Sequence, residues 1–240
     1  MESEYEIIEI EKWKRSEHYK FYRNAENSFM GVSYNVDITQ FFKIIKRKNF
    51  PFYYSMIYAI TLCANKLDAF KYRINGENVI LYKSISPSYK CLEKGTDLLK
   101  VVTVDFNANL SGFIADAKKV EEKQTEYFKL PARKDIFEMS CIPWISFMHI
   151  SHTVSADKDD AVPKFTWGEH FREGKKILLP LTILIHHSFA DGLDLGNFTK
   201  ILQNYLDNFE VDAYSGCSNA LDLSGSSPSL NLTKTKIHPK

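Results

Sequence analysis

Two adjacent histidines, His186 and His187, end an apolar stretch of the sequence and are followed by Asp191 and Gly192. The run Lys176–His186 is predicted to be a buried strand, because it is continuously apolar and rich in β-branched residues. A packed strand fixes a side chain at its end, and the following loop keeps that side chain accessible. A neutral imidazole with a pKa near 7 can take a proton from a hydroxyl or a thiol. We therefore predict that His187 is a catalytic base, with Asp191 orienting the loop or raising the pKa of the imidazole.

Two other interpretations compete for these histidines. They could be ordinary structural residues, since structural histidines outnumber catalytic ones, although the apolar strand and the glycine favour the catalytic role. They could also bind a metal together with Asp191 and with His149 or His152. Adjacent residues of a strand point to opposite faces, however, so His186 and His187 cannot easily share one ion. With no third ligand at a familiar spacing, we predict no metal.

A serine and three N-terminal residues are further candidates. Ser146 lies in PWISF, in the middle of a strand predicted within residues 136–150 and started by Pro143, where its hydroxyl could donate to a developing oxyanion or bond the neighbouring backbone. No Gly-x-Ser-x-Gly nucleophile motif and no phosphate-binding glycine loop are present. Arg15, in WKRSEH, fits a solvated helix face, while Phe21 and Tyr22 fit either the core or a ligand pocket.

The composition narrows the class of partner. The 31 Lys and Arg residues and the 30 Asp and Glu residues leave a net charge of +1, so no basic field indicates nucleic acid or an anionic membrane. The four cysteines show no CxxC spacing, which favours reduced thiols in a cytoplasmic protein. The N-terminus resembles no signal peptide, and no apolar run is long enough for a membrane span. A small molecule or a protein is the expected partner.

Hydrophobic periodicity predicts interleaved strands and helices. The predicted strands are residues 5–10, 30–38, 70–74, 79–82, 101–106, 136–150 and 176–186, and the predicted helices are residues 13–23, 38–48, 51–67, 110–123 and a segment from 193. Asn75 and Gly76 predict a two-residue hairpin with a type I′ turn, so the sheet should be mixed. We predict an α/β (α+β) fold, a two-layer sandwich with a mixed β-sheet covered by helices. Residues 1–213 should form a single domain, and the polar residues 214–240 a flexible tail.

Taken together, these motifs resemble the chloramphenicol acetyltransferase family, the trimeric type that uses acetyl-CoA. The resemblance rests on segments that span nearly the whole predicted domain. They are WKRSEH at 13–18, FYR at 21–23, PWISF at 143–147, FTWG at 165–168 and HHSFADG at 186–192. The HHxxxDG pattern is also similar to dihydrolipoyl acyltransferase and condensation domains, and the other four segments favour the smaller enzyme. The resemblance implies a CoA-dependent acyltransferase-like fold and acetylation of chloramphenicol, an antibiotic-resistance activity.

The resemblance also implies roles for single residues. His187 would be the general base, Ser146 would hydrogen-bond the tetrahedral oxyanion, and Thr166 would assist through a water molecule. Asp191 and Arg15 would form a structural ion pair. A homotrimer is implied, with each site between two subunits.

The acceptor pocket remains the least determined part of the site. The resemblance assigns Phe21 and Tyr22 to acceptor binding. Residues 96–106 lack the aromatic stretch common in the resistance enzymes, Lys100 is expected near the acceptor, and His170 stands where an aromatic residue near the cofactor mouth is usual. The acceptor is therefore chloramphenicol or another alcohol, amine or thiol. A catalytically idle relative that binds a ligand or serves in assembly is the third hypothesis.

Overall fold

The computed structural model describes residues 3–107, 109–129, 133–153, 155 and 157–210. Its strands are β1 (Tyr5–Ile8), β2 (Phe29–Asp37), β3 (Tyr72–Asn75), β4 (Asn78–Tyr82), β5 (Ser86–Leu92), β6 (Leu99–Thr103), β7 (Ile136–Ile142), β8 (Lys164–Gly168), β9 (Phe171–Glu173) and β10 (Lys176–His186). Its α-helices are α1 (Ser16–Arg23), α2 (Thr39–Arg47), α3 (Phe52–Ala64), α4 (Leu110–Lys123) and α5 (Gly192–Asp207). The interleaved order of strands and helices confirms the sequence prediction.

A mixed sheet of seven strands carries the histidine strand. Its order is β2-β10-β8-β7-β5-β6. The short strand β9 also pairs with β10, on the same side as β8. The pairs β5–β7 and β7–β8 are parallel and the others antiparallel. Strand β10 therefore has partners on both sides, which holds the residues at its end in place. A smaller antiparallel sheet, β1-β4-β3, lies apart from it.

One face of the large sheet packs against helices and forms the core. Strand side chains alternate between the two faces, so Leu181 and Ile183 of β10 lie on the same face as Phe165 and Trp167 of β8, and all four are buried. Helix α3 is buried along most of its length and contacts α2, α4 and α5, as its apolar sequence predicts. The arrangement confirms the predicted two-layer fold.

The opposite face carries a row of small hydroxyl side chains. Thr182 of β10 is in register with Ser33 of β2 and with Thr166 of β8, and Thr166 is in register with Ser140 of β7. Ser33 Oγ and Thr182 Oγ1 are 2.7 Å apart and share a hydrogen bond. This set, Ser33, Thr182, Thr166 and Ser140, is called the hydroxyl row below.

Two local predictions were wrong. Within residues 136–150 the strand was predicted to begin at Pro143, but the structure has it at Ile136–Ile142, because Pro143 cannot donate to a neighbouring strand and begins a turn. Ser146 therefore lies in an irregular segment. The hairpin at 75–78 is confirmed, but Asn75 pairs with Asn78 and only Gly76 of the two turn residues has positive φ. A type I′ turn needs positive φ at both, so the turn has the glycine-first pattern of type II′.

The remaining predictions concern the termini, cysteines and membrane. Residues 214–240 and Cys217 lie outside the described residues, so the tail and the domain limits stay predictions. Cys63, Cys91 and Cys141 are free thiols. Within the described ranges, no helix is both long and apolar enough to cross a bilayer.

Candidate active site

His187 follows β10 directly and lies in the turn that leads into α5. Its backbone N–H donates to Ser28 O at 2.7 Å, and its Nδ1 lies 3.0 Å from Ala190 O. A carbonyl oxygen only accepts hydrogen bonds, so Nδ1 must carry the proton of the neutral ring. The lone pair is then on Nε2, which is the arrangement that a general base requires.

The aromatic pair at 21 and 22 lies beside this imidazole. The Tyr22 ring stacks on His187 with centroids 4.1 Å apart and an interplanar angle of 17°. Phe21 meets Tyr22 edge to face and is 74% exposed. The structure thus brings Tyr22 to the predicted base and leaves Phe21 free for an outside partner. Tyr22 also orients His187, a contact that sequence reasoning did not predict.

The predicted pair between Arg15 and Asp191 is present and secures the same turn. Arg15 Nη1 lies 3.1 Å from Asp191 Oδ2, and Nε donates to Ser188 O at 3.2 Å. Nη2 donates to His187 O at 3.4 Å. The Arg15 side chain is largely buried, so its planar group joins three points of one turn.

Asp191 also begins helix α5. Its Oδ1 accepts from Leu193 N at 2.9 Å, and Asp194 Oδ2 accepts from Asp191 N at 2.9 Å, which forms a capping box. Burial alone would raise the pKa of the Asp191 carboxyl, but the hydrogen bonds from Arg15 and Leu193 outweigh burial and hold the pKa below its usual value. The D-x-x-D spacing of Asp191 and Asp194 is the sequence signal that could have revealed this cap.

His186 is buried, and its ring contacts Phe29 and Phe189, whereas the ring of His187 stacks on Tyr22. Its Nδ1 accepts from Ser188 N at 3.3 Å. Burial lowers the pKa of His186 to about 4, and the nearby charge of Arg23 acts in the same direction. The ring is therefore neutral near pH 7. Among the described residues, no group of three or more His, Cys, Asp or Glu side chains could hold a metal ion.

Ser146 lies in the segment that follows β7, on the sheet face that carries the hydroxyl row. It lines a cavity of about 230 Å³ together with Ser33, Phe171 and Pro180. Its Oγ makes no hydrogen bond to any described residue, so the hydroxyl is free to donate. Backbone contact holds the segment, since Glu169 N donates to Ile145 O at 2.9 Å.

Gly168 permits this close contact and was missed as a functional position. A Cβ built at Gly168 would lie 2.5 Å from Ile145 O and 2.9 Å from the Phe147 ring. Only glycine therefore lets the Ser146 segment lie against the end of β8. The FTWG motif, in which Gly168 follows Thr166 by two residues, is the signal that marks the position.

Thr166 is fully buried in β8, and its Oγ1 shares a hydrogen bond of 3.1 Å with His152 Nε2. Both residues line a cavity of about 210 Å³. The other polar residues around it are Ser88, Lys90, Glu138, Ser140 and Lys164. The sequence pattern suggested His152 only as a possible metal ligand. Its contact with Thr166 depends on a loop whose path the sequence pattern did not reveal.

The two halves of the predicted site are far apart in one chain. Thr182 is paired with Thr166, whereas His187 comes five residues later along the chain. At about 3.3 Å of rise per strand residue, His187 is on the order of 16 Å from the hydroxyl row. We call Ser146 and Thr166 one half of the predicted site, because Thr166 belongs to the hydroxyl row and Ser146 lines a cavity with Ser33 of that row, and we call His187 with Tyr22 the other half. One acceptor hydroxyl cannot contact both halves within a single chain.

Lys100, which was expected near the acceptor, and His170, which was expected near the cofactor mouth, both contact other residues of the fold. Lys100 Nζ donates to Glu121 O at 2.8 Å and to Gln124 O at 3.0 Å, and it pairs with Glu93 at 2.5 Å. Its ammonium group thus closes the C-terminal end of α4. The His170 ring packs between Phe42 and Phe52, with centroid distances of 4.8 and 5.6 Å.

Comparison with known sequences gives one consistent family. The family model described as "CAT: Chloramphenicol acetyltransferase" matches residues 3–203. The chloramphenicol acetyltransferase of Staphylococcus aureus is 28% identical over 207 residues, covering 84% of this chain and 96% of that protein. The Proteus mirabilis enzyme is 26% identical over 205 residues, covering 84% and 94%.

Solved structures agree with the fold. A chloramphenicol acetyltransferase superposes with a TM-score of 0.78 at 22% identity, covering 85% of this chain and all (100%) of that one. The dihydrolipoamide acetyltransferase of Azotobacter vinelandii gives a TM-score of 0.59 at 17% identity, covering 80% and 86%. At these identities the structures support the fold.

Proposed function

The chain belongs to the chloramphenicol acetyltransferase family of acyltransferases, and from this premise we propose that it acetylates a hydroxyl group, that of chloramphenicol first, with acetyl-CoA as the donor. The observation that carries the proposal is the hydrogen bond from His187 Nδ1 to Ala190 O. It leaves Nε2 unprotonated and therefore ready to take a proton.

In the proposed reaction, His187 Nε2 accepts the proton of the acceptor hydroxyl while the hydroxyl oxygen attacks the acetyl carbon of the thioester. The tetrahedral intermediate carries a negative oxygen, to which Ser146 Oγ donates. Thr166 supports the same oxygen through a water molecule. When the carbon–sulfur bond breaks, His187 returns its proton to the sulfur, so the products are the acetyl ester and free CoA thiol.

The proposed site lies between two copies of the chain. The separation of His187 from Ser146 and Thr166 supports this, because both halves must reach one thioester. Apolar side chains are also exposed at each half: Trp144 and Met148 flank Ser146, at 71% and 94% exposure, and Phe21 lies beside Tyr22. A second copy would cover these side chains. We propose a homotrimer, in which each subunit uses one half-site toward each neighbour.

A second candidate keeps acyl transfer but changes the acceptor. The cavity beside Thr166 is lined by Lys90, Glu138 and Lys164, and Lys164 Nζ pairs with Asp160 at 3.1 Å. Charged groups at a pocket wall favour an acceptor with hydrogen-bonding groups over a purely aromatic one. Another alcohol, an amine or a thiol is therefore the alternative acceptor. The free thiols support a cytoplasmic setting for either activity.

The test is release of free CoA thiol from acetyl-CoA, with chloramphenicol and a panel of polar alcohols, amines and thiols as acceptors. His187→Ala should lower kcat about 10² to 10⁴-fold, the usual range for loss of a general base. His18→Ala is the matched control, since His18 is an exposed histidine of α1. A His187→Ala variant with near wild-type kcat would exclude His187 as the base.

The acceptor panel separates the hypotheses. Turnover of a polar acceptor without turnover of chloramphenicol would favour the second candidate. If no acceptor is turned over and the wild type also fails to bind CoA in calorimetry, the chain is an idle relative and the proposed function is wrong.

A further inference from the structure

The hydroxyl of Thr166 has one visible partner, and that partner is an imidazole. Thr166 Oγ1 lies 3.1 Å from His152 Nε2, and no other described residue hydrogen-bonds to this hydroxyl. Thr166 is fully buried, so the contact is its means of avoiding an unsatisfied polar group. Two of the polar groups nearby have other partners: Thr182 bonds Ser33, and Lys164 pairs with Asp160.

We propose that His152 is a positioning residue. It accepts a hydrogen bond from the Thr166 hydroxyl, so that the lone pairs of the Thr166 oxygen face the cavity. The inference rests on the proposed function, in which Thr166 acts on the intermediate through water. A hydroxyl has one proton and two lone pairs. With its proton on His152, Thr166 can only accept from the water molecule. The second proton of that water is then available to the negative oxygen.

The surroundings of His152 favour the neutral ring that this arrangement needs. Burial lowers the pKa of His152, and the charges of Lys90, Lys164 and His149 lower it further. These groups lie on β5, on β8 and in the segment of His152 itself, and Glu138 of β7 also faces the cavity. In the neutral tautomer that carries its proton on Nδ1, Nε2 accepts the hydrogen bond from Thr166, whereas a ring with a proton on Nε2 would donate to Thr166 and reverse the polarity of its hydroxyl.

Position within the fold supports a directed role. The segment after β7 sets two imidazoles on the hydroxyl row, since His149 Nδ1 lies 3.2 Å from Ser33 Oγ while His152 reaches Thr166. Only His152 lines the cavity that Thr166 also lines. His149 therefore provides a matched control from the same segment.

A double-mutant cycle tests the link between His152 and Thr166, and its substrate is the acceptor that the wild type acetylates. His152→Ala should lower kcat about tenfold with little change in KM, because a misplaced water stabilises the intermediate poorly. His152→Gln should recover most of kcat, since its amide oxygen can accept the Thr166 proton. In a Thr166→Val background, His152→Ala should cost less than about twofold, because the two substitutions then remove the same interaction. His149→Ala should leave kcat within about twofold.

An equal loss from His152→Ala in both backgrounds would overturn the proposal, as would a His152→Gln variant no better than alanine. NMR titration of the His152 ring separates this outcome from failure of the proposed function, since it needs no turnover. Thr166→Val should raise the pKa of His152, because the hydrogen bond that stabilises the neutral ring is lost. A titration unchanged by Thr166→Val would show that the bond is absent and would also overturn the proposal.

Discussion

At the scale of single residues, the candidate base is oriented by its surroundings. Ala190 O holds the proton of Nδ1, Tyr22 stacks on the ring, and Arg15 Nη2 donates to His187 O. Each contact restricts a different motion of the imidazole, so Nε2 can keep one direction. Arg15 thus supports the base without touching its ring.

We predict that Arg15→Lys lowers both stability and kcat, and that Arg15→Ala lowers them further. A lysine keeps the charge, but its single ammonium group cannot reach Asp191, Ser188 O and His187 O together. A loss of about 2 kcal/mol in the free energy of unfolding is expected for alanine. Urea denaturation measures it. Lys20→Ala, which breaks the exposed pair with Glu11, is the control and should cost less than about 0.5 kcal/mol. Arg15 variants that melt like the wild type would contradict the structural role.

We predict that His186 makes the fold sensitive to mild acid. Its pKa is about 4 in the folded chain, below the usual 6.5, so the unfolded chain binds more protons between these values. Stability from this group is complete above about pH 6.5 and falls as the pH drops toward 4, by about 2 kcal/mol at pH 5. In His186→Asn, whose amide oxygen can still accept from Ser188 N, this part of the decline should vanish. Urea unfolding at pH 7 and pH 5 makes the comparison; equal declines in both proteins would refute the prediction.

At the scale of elements, the end of β8 and the Ser146 segment depend on each other. The strand brings Thr166 to the cavity, and two residues later Gly168 allows Ile145 O to approach. The segment then presents Ser146 on the same face of the sheet. The FTWG and PWISF motifs thus pack as one unit, although 17 residues lie between Phe147 and Phe165 in the sequence.

We predict that Gly168→Ala displaces the Ser146 segment and lowers both kcat and stability, because its methyl group would overlap Ile145 O. The expected cost is about 1–3 kcal/mol, typical of overpacking. The matched control is Gly196→Ala, at an exposed position inside α5 where a Cβ meets nothing within 4 Å. That change should stabilise the protein by about 0.5–1 kcal/mol. Thermal melting and the thiol-release assay compare the two; a Gly168→Ala protein as active and stable as Gly196→Ala would contradict the argument.

At the scale of the whole molecule, the half-sites and the exposed apolar residues have a common explanation. Each half contains groups of one proposed role: the proposed base lies with Tyr22, and the proposed oxyanion donors lie with the hydroxyl row. Exposed Trp144, Met148 and Phe21 are found beside these halves. An assembly that joins the base of one subunit to the donors of the next would complete the site and cover the apolar residues.

We predict that two inactive variants restore each other. Coexpression of His187→Ala with Ser146→Ala should give activity near a quarter of wild type in randomly mixed trimers, since about one interface in four then has both intact halves. Each variant alone should stay nearly inactive, and separately purified trimers mixed without exchange provide the control. Copurification of differently tagged subunits shows that the trimers are mixed. If such trimers have no restored activity, a site shared between subunits is excluded.

The sequence alone was sufficient for most of the elements, and it supplied His187 as the predicted base. The bounds of β10, the buried character of α3 and the hairpin at 75–78 follow from periodicity and turn residues within short segments. The motif resemblance added Ser146, Thr166 and the Arg15 to Asp191 pair. Local patterning carries such information because neighbouring side chains must share a face or a turn.

The tertiary structure decided the contacts of the candidate site residues. Arg15 and Asp191 are 176 positions apart, so the sequence pattern could not show that the arginine also binds two carbonyls of the turn. The proton position on His187, the contact of His152 with Thr166 and the close approach at Gly168 all depend on where the chain returns. Hydrogen bonds require placement within a few tenths of an ångström, and only the packed fold determines positions that closely.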